Sequence, residues 1–291
     1  MLRRQIRIAA TFLIALIPVA AFAQSDLRAG DADPLMAADS VFSGDFLIVG
    51  GGAVLVPSYE GSDDMAVIPA AAIAGRLGGI GISARAAGLA LDFIPQRKGE
   101  RLGFTLGPVV RYRSNRAGRI ADPVVARLGK LSGVIEGGLV AGIDIKHVLN
   151  PYDSLSFSVD FRWDISGKGG GQIISPGVSY LSPLSRGVAI GAAVMSNFID
   201  DRYAQYNFGI SAAGSTASGL PAYTARGGLK DIGVGAFTAF DFNGNFLDGG
   251  PALGVGAMYS RLYGSAAASP ITAQRGKRGQ MIVGSGLSYT F

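Results

Sequence analysis

Ser154-Leu155-Ser156-Phe157-Ser158-Val159-Asp160-Phe161-Arg162-Trp163-Asp164 alternates between polar and apolar side chains without a break. Successive side chains of a strand point to opposite faces, so this stretch is a strand with two unlike surfaces. Leu155, Phe157, Val159, Phe161 and Trp163 make one apolar face, with aromatics toward one end. Ser154, Ser156, Ser158, Asp160, Arg162 and Asp164 make the other, which is polar and charged. One such strand suits a soluble sandwich as well as a membrane wall, so repetition decides.

The pattern recurs along the chain. In 101–113, Leu102, Phe104, Leu106, Val110 and Tyr112 oppose Arg101, Thr105, Arg111 and Arg113. In 134–147, Ile135, Leu139, Ala141, Ile143 and Ile145 oppose Glu136, Asp144 and Lys146. At the C-terminus Met281, Val283, Leu287, Tyr289 and Phe291 oppose Ile282, Gly284, Gly286, Ser288 and Thr290. Amphipathic segments of about ten residues separated by turn residues are the mark of a transmembrane β-barrel. The aromatic end, Tyr289 and Phe291, resembles the terminal signal read by the outer-membrane assembly machinery.

Composition excludes the alternatives. The 291 residues include 44 glycines, about twice the usual share of roughly 7%, and each weakens a helix interior by about 1 kcal/mol relative to alanine. Mean hydropathy is +0.33, yet beyond residue 23 no apolar run approaches the roughly 18 residues of a membrane helix. The absence of cysteine removes a disulfide framework, thiolate metal sites and a cysteine nucleophile. What remains is an all-β chain.

The N-terminus sets the compartment. Arg3, Arg4 and Arg7 precede the apolar stretch 8–20, and Ala21-Phe22-Ala23 places a cleavage site between Ala23 and Gln24. This is the form of a secretory signal peptide. Its removal takes three of the 26 basic residues and none of the 21 acidic ones, lowering the formal charge from +5 to +2. The argument for a nucleic-acid partner goes with it. The chain divides into a signal peptide (1–23), a polar periplasmic leader (24–44) and an outer-membrane barrel (45–291) of the Gram-negative type.

Ten strands are legible near 46–57, 65–76, 101–113, 133–146, 153–164, 172–182, 187–197, 229–242, 251–262 and 280–291. Bacterial single-chain barrels have even strand numbers. Reading 79–94 as a short hairpin turning at Ala87-Gly88 gives an antiparallel up-and-down barrel of twelve; ten is the alternative. Twelve also puts the long segments 114–132, 198–228 and 263–279 together on the outer side.

Pro57-Ser58-Tyr59-Glu60-Gly61-Ser62-Asp63-Asp64 follows a glycine-rich first strand, and Tyr259-Ser260-Arg261-Leu262 is followed by Ala268-Ser269-Pro270-Ile271. With Asp201-Arg202-Tyr203 and Gly227-Gly228-Leu229, this order resembles the MltA-interacting protein and OmpV-like outer-membrane family from about residue 45 to the end. Pro57, Tyr59, Glu60, Gly61 and Ser62 carry the first motif. The resemblance implies a non-enzymatic barrel that scaffolds a lytic transglycosylase together with a penicillin-binding protein, without cofactor; other members are described as porin-like or as surface antigens. It supplies no catalytic residues.

The candidate sites are few. Glu60, Asp63 and Asp64 suggest a hard-cation loop, but lack regularly spaced ligands ending in a bidentate Glu and read better as a hairpin turn. His147, the one histidine, falls beside the turn Leu149-Asn150-Pro151-Tyr152 at the inner rim, away from where barrel hydrolases work. Gly50-Gly51-Gly52 and Gly169-Gly170-Gly171 lack a phosphate-loop context. Arg116, Arg119, Arg127 and Lys130 in the basic outer loop are expected to face the phosphates of lipopolysaccharide, with the barrel wall in membrane lipid. Arg101, Arg111, Arg113, Glu136, Asp144, Lys146, Asp160, Arg162 and Asp164 are expected in the lumen, lining a narrow channel or pairing to close it. Tyr203, Tyr206, Phe208 and Tyr223 in 198–228 are the candidate contact patch of an adhesin.

Overall fold

A computed structural model describes residues 40–96 and 100–291. The signal peptide, the cleavage site at Ala23-Gln24 and residues 24–39 of the leader lie outside the described residues. Twelve strands form one closed antiparallel barrel in which each pairs with its sequence neighbours and β1 closes on β12. They are β1 (Phe46–Pro57), β2 (Met65–Leu77), β3 (Ile80–Arg85), β4 (Gly88–Asp92), β5 (Leu102–Arg113) and β6 (Val134–Lys146). The circuit continues with β7 (Ser154–Asp164), β8 (Gln172–Ser185), β9 (Val188–Ile199), β10 (Gly228–Asp241), β11 (Gly250–Leu262) and β12 (Gly279–Thr290). The stretch 79–94 is the short hairpin that brings the number to twelve.

Alternation sorts the faces as the sequence requires. Phe104, Leu139, Phe157, Val194, Val234 and Leu287 face outward and are exposed, a belt for hydrocarbon. The inward row that runs through register from Thr105 across Gly142, Ser158, Gly177, Met195 and Gly233 to Ser260 is mostly small. Twelve strands enclose more room than eight, and this row leaves the middle of the lumen unfilled by large side chains. One register shift, between Leu229 and Asp231, turns both Lys230 and Asp231 into the interior, where each is 6% exposed. A bulge does this by adding one residue to one strand.

The two ends differ. At one, the connections are short, and Phe42 and Phe46 pack edge to face at 5.0 Å beside Phe246 and Leu247. At the other, the connections are long and carry five short helices: α1 (Pro123–Ala126), α2 (Asp201–Phe208), α3 (Ala212–Ser218), α4 (Gly264–Ala268) and α5 (Pro270–Ala273). Long loops mark the extracellular end of such barrels. The segments read from sequence as outer loops share this end, and their helices were not anticipated: each is seven residues or shorter except α2, too short to carry an amphipathic pattern. Among the described residues no helix is long and apolar enough to cross a membrane.

Candidate functional site

The outer helices build a cap with its own apolar core. Tyr203, Ala204 and Phe208 of α2 meet Ile173, Ile199, Leu262, Ala266 and Ala267 in one cluster. Tyr59, Val125, Ile210, Leu220 and Ile271 form a second. Local signals start the helices: the Asp200 carboxylate accepts from the Tyr203 N–H at 2.7 Å, and Asp122 accepts from Val124 and Val125, each at 2.8 Å. These are N-caps, which satisfy donors that a helix end leaves free. Tyr203 and Phe208 are 1% and 0% exposed, which corrects the expectation of an adhesive patch: they are the core of the cap.

The sequence motifs converge here. Gly61 has φ +97°, and a side chain there would collide with the Thr272 hydroxyl of α5, so both backbone and space demand glycine. Its N–H donates to Gln280 Oε1 at 3.1 Å, and Gln280 Nε2 donates to Ser62 O at 3.2 Å. The Tyr59 hydroxyl donates to Arg275 O at 3.1 Å, and burial pushes its pKa up to about 12, so it stays a neutral donor. Asp201 accepts from Gly227 N–H at 2.7 Å. Thus 57–62, 201–203, 227–229 and 259–271, far apart in sequence, form one structure: the cap and its anchorage. Glu60 is drawn into the ion pair described next, and the loop is a turn among these contacts.

Beneath the cap lies a belt of paired charges. Glu136, 2% exposed, accepts from Arg113 Nε at 2.6 Å and from Arg162 Nε at 3.3 Å. Asp160 meets Arg162 at 2.9 Å and Arg85 at 3.1 Å. The belt continues from Arg162 through Ser175 (3.0 Å) and Asn197 (2.6 Å) to Asp231 (2.7 Å). Lys230 bridges Asp231 at 3.1 Å and Glu60 at 3.0 Å. Arg113 also reaches up into the cap, donating to Asn207 Oδ1 at 2.8 Å and lying 4.2 Å from the Tyr203 ring centroid. Four cations and four anions balance across the upper lumen, joined to its cover.

The remaining candidates separate. Arg111, Asp144 and Lys146 face inward with the belt residues. Asp144 accepts from Ser156 and, at 3.4 Å, from Thr105. Arg101 is exposed at the inner rim, where it donates to Lys146 O at 3.2 Å: it braces a turn and does not line the lumen. Asp164 accepts from the N–H groups of Ser166 and Gly170, at 2.7 and 2.8 Å, and shapes the 165–171 turn. Arg119, Arg127 and Lys130 are exposed on the outer face. Arg116 is 4% exposed and lies near Tyr59 and Tyr206 of the cap, so it is not on the surface that would meet lipopolysaccharide. His147 lies exposed in the inner turn with φ +56°. The rings of Tyr289 and Phe291 sit 4.6 Å apart on the outward face. Sequence reasoning missed Lys230, Asp231 and Asn197, whose inward placement depends on a bulge that alternation does not announce.

The cap carries an acid-sensitive tie. Burial acts to raise the Asp122 pKa, but hydrogen bonds from Arg275, at 2.6 Å, and from the two α1 amides outweigh it and hold the carboxyl below its ordinary value. A depressed folded pKa means stability present above the unfolded value, about 3.9, and lost as pH falls through the folded one. Pepsin cleavage within 114–133 is therefore expected to accelerate as pH drops below about 4, with Asp122→Asn flattening that dependence. A wild-type rate that is flat across this range would rule the tie out.

Residues 49–291 match the family model described as MltA-interacting protein MipA. The chain belongs to the MltA-interacting protein MipA family. It is an outer-membrane β-barrel protein. No curated protein is significantly similar to it in sequence. Among solved structures, the toluene transporter TodX of Pseudomonas putida is 10% identical, covers 96% of this chain and 99% of its own, and superposes with a TM-score of 0.38. OprD of Pseudomonas aeruginosa is 12% identical over 86% of this chain, which spans just under two thirds (66%) of the OprD chain, with a TM-score of 0.34. OmpT of Vibrio cholerae is 6% identical, with coverages of 85% and 97% and a TM-score of 0.34. The strand pairing itself, rather than these distant likenesses, carries the description of this barrel.

Proposed function

We propose that this protein is a non-catalytic scaffold in the outer membrane that holds a murein-cleaving lytic transglycosylase, together with a murein-synthesising penicillin-binding protein, at its periplasmic end. The family description supports the class of partner. The observation that carries the reading is the covered outer end: an apolar cap bound to a belt of paired charges favours a wall-anchored platform over an open pore.

The inner end offers a rigid docking point. Asp153 accepts from the backbone N–H groups of Val148, Leu149 and Asn150 at 2.6, 2.8 and 3.1 Å, and from the Tyr180 hydroxyl at 2.6 Å. This fixes the turn that presents Leu149, 80% exposed. A preordered apolar anchor loses little freedom on binding. Residues 40–44 and the 242–249 turn flank the same end.

The test is affinity capture from solubilised envelopes with wild type, Leu149→Asp and a chain lacking 24–44. Recovery of transglycosylase with wild type is expected, with Leu149→Asp lowering the yield about tenfold. Capture of lipid and lipopolysaccharide alone would sink the scaffold. The second reading, a narrow diffusion channel, is favoured by the charged interior wall; steady conductance of the intact barrel in planar bilayers would establish it instead.

A further inference from the structure

Arg116 is a buried cation that no carboxylate answers. It is 4% exposed, and its Nε is buried without a hydrogen-bond partner. Among the described residues it enters no ion pair, and the groups that bear on it are the hydroxyls of Tyr59 and Tyr206. The other buried arginines, Arg113 and Arg162, each hold a carboxylate, Glu136 at 2.6 Å and Asp160 at 2.9 Å. Arg116 also has φ +53°, a left-handed backbone that a residue with a Cβ adopts at a cost. Strain and an uncompensated buried charge thus fall on one residue, and the charge is the larger burden.

The loop that follows holds it down. The Leu131 N–H donates to Arg116 O at 3.2 Å, so 117–131 leaves and returns at nearly the same place, as an Ω-loop does. Within it α1 sends Val125 into the cluster with Tyr59, Ile210, Leu220 and Ile271, and Ile120, Val124 and Leu128 pack partly buried against that cluster. Among the described residues one polar contact ties the loop to a distant part of the fold: Asp122 to Arg275, at 2.6 and 3.0 Å. Asp122 is also its single carboxylate, against the exposed Arg119, Arg127 and Lys130. Closing the loop gains apolar contacts and one ion pair, and it costs the burial of Arg116. A ligand that binds the open form alone shifts this balance.

We propose that 117–131 is a strap that opens over Arg116, and that the open form presents Arg116 as the receptor for a phosphate group. The planar fork of arginine meets two phosphate oxygens at once. Arg119, Arg127 and Lys130 on the same loop favour a multiply charged phosphate over a lone carboxylate. In the closed form Arg116 is out of reach, so binding and opening are one event.

Hydrogen exchange of the full-length barrel in nanodiscs near neutral pH tests this. The readout is the amides of Ala126, Arg127 and Leu128, which donate to Asp122 O, Val124 O and Val125 O in the closed strap. The probes are inorganic pyrophosphate, lipopolysaccharide, and lipopolysaccharide stripped of its phosphates. A phosphate-bearing probe is expected to speed exchange at these amides roughly tenfold, the scale of one charge-assisted hydrogen bond. Without a probe, Arg116→Met should exchange roughly tenfold more slowly than wild type, because its closed form no longer buries a charge. It should also ignore every probe, while Arg116→Lys, which keeps the charge, responds. A response to pyrophosphate would assign the receptor to soluble phosphate compounds, and a response to intact lipopolysaccharide alone to a lipid headgroup. Three outcomes would each overturn the proposal. In one, Arg116→Met exchanges faster than wild type and has a lower urea midpoint, which would make Arg116 a brace. In another, pyrophosphate accelerates Arg116→Met as much as wild type, which would mean salt acting on the Asp122–Arg275 pair. In the third, no probe changes the wild type. Heat-shifted electrophoretic mobility checks that each variant is folded.

Discussion

Glu136→Gln is expected to lower barrel stability by about 3–5 kcal/mol, the range for breaking a buried ion pair from one side. The urea dependence of the heat-shifted electrophoretic band measures it. The size follows from what is left behind. Glu136 is 2% exposed and neutralises Arg113 and Arg162, whose side chains are 4% and 3% exposed. Glutamine keeps the shape and one acceptor but removes the charge, so Arg113 is left without a carboxylate and Arg162 keeps only Asp160, which it shares with Arg85. Arg113 also holds Asn207 and the Gly170 carbonyl, at 2.8 and 2.9 Å. The loss should therefore reach the cap, and trypsin should cut within 200–227 sooner in the variant than in wild type. An unchanged urea midpoint would mean that the apolar clusters alone hold the outer end, and that the belt contributes nothing net. Replacing Glu136, Arg113 and Arg162 together by methionine should recover part of the loss, because apolar substitution of a whole buried group avoids stranding a charge.

What was legible in the sequence was whatever depends on strict alternation. The stretch 154–164 has a spotless two-residue period and became β7 at those residues. Its neighbours differ from expectation by one to three residues, at ends where turn geometry rather than pattern decides. The 79–94 hairpin was placed by parity, and its two strands proved half the usual length because Gly88 and the surrounding alanines give neither strand a hydrophobic ladder of full height. The cap was not legible. Tyr203, Phe208 and Ile271 read as loop aromatics and aliphatics because their partners lie on other loops, and no local period links 59, 203 and 271. The motifs quoted from 57–62 and 259–271 nonetheless lay on its scaffolding. Arg116 shows the converse: the basic loop reads as facing lipopolysaccharide phosphates, while the fold buries one of its arginines.

Removing the cap should convert the barrel into a conductor. Replacing residues 201–226 by a short glycine-serine linker deletes α2 and α3 and with them Tyr203, Phe208, Ile210 and Leu220, the centre of both outer clusters. α4 and α5 lose the surface they pack on, including the Phe208 carbonyl that accepts from the Ser269 hydroxyl at 2.7 Å. The belt below loses Asn207, so Arg113 is freed toward solvent. The row of small residues from Thr105 to Ser260 sets the width that remains, and it offers water and ions a path the intact chain covers. Planar bilayers are expected to show steady conductance for the deletion variant and silence for wild type. With cations and anions alternating around the belt, selectivity between them should be weak, and Arg162→Glu should shift it toward cations by adding one negative charge and removing one positive. Equal conductance in both proteins would make the cap a decoration on an open channel. Silence in both, with the deletion variant still folded, would place the constriction at the inner end, where Phe42, Phe46 and Phe246 meet.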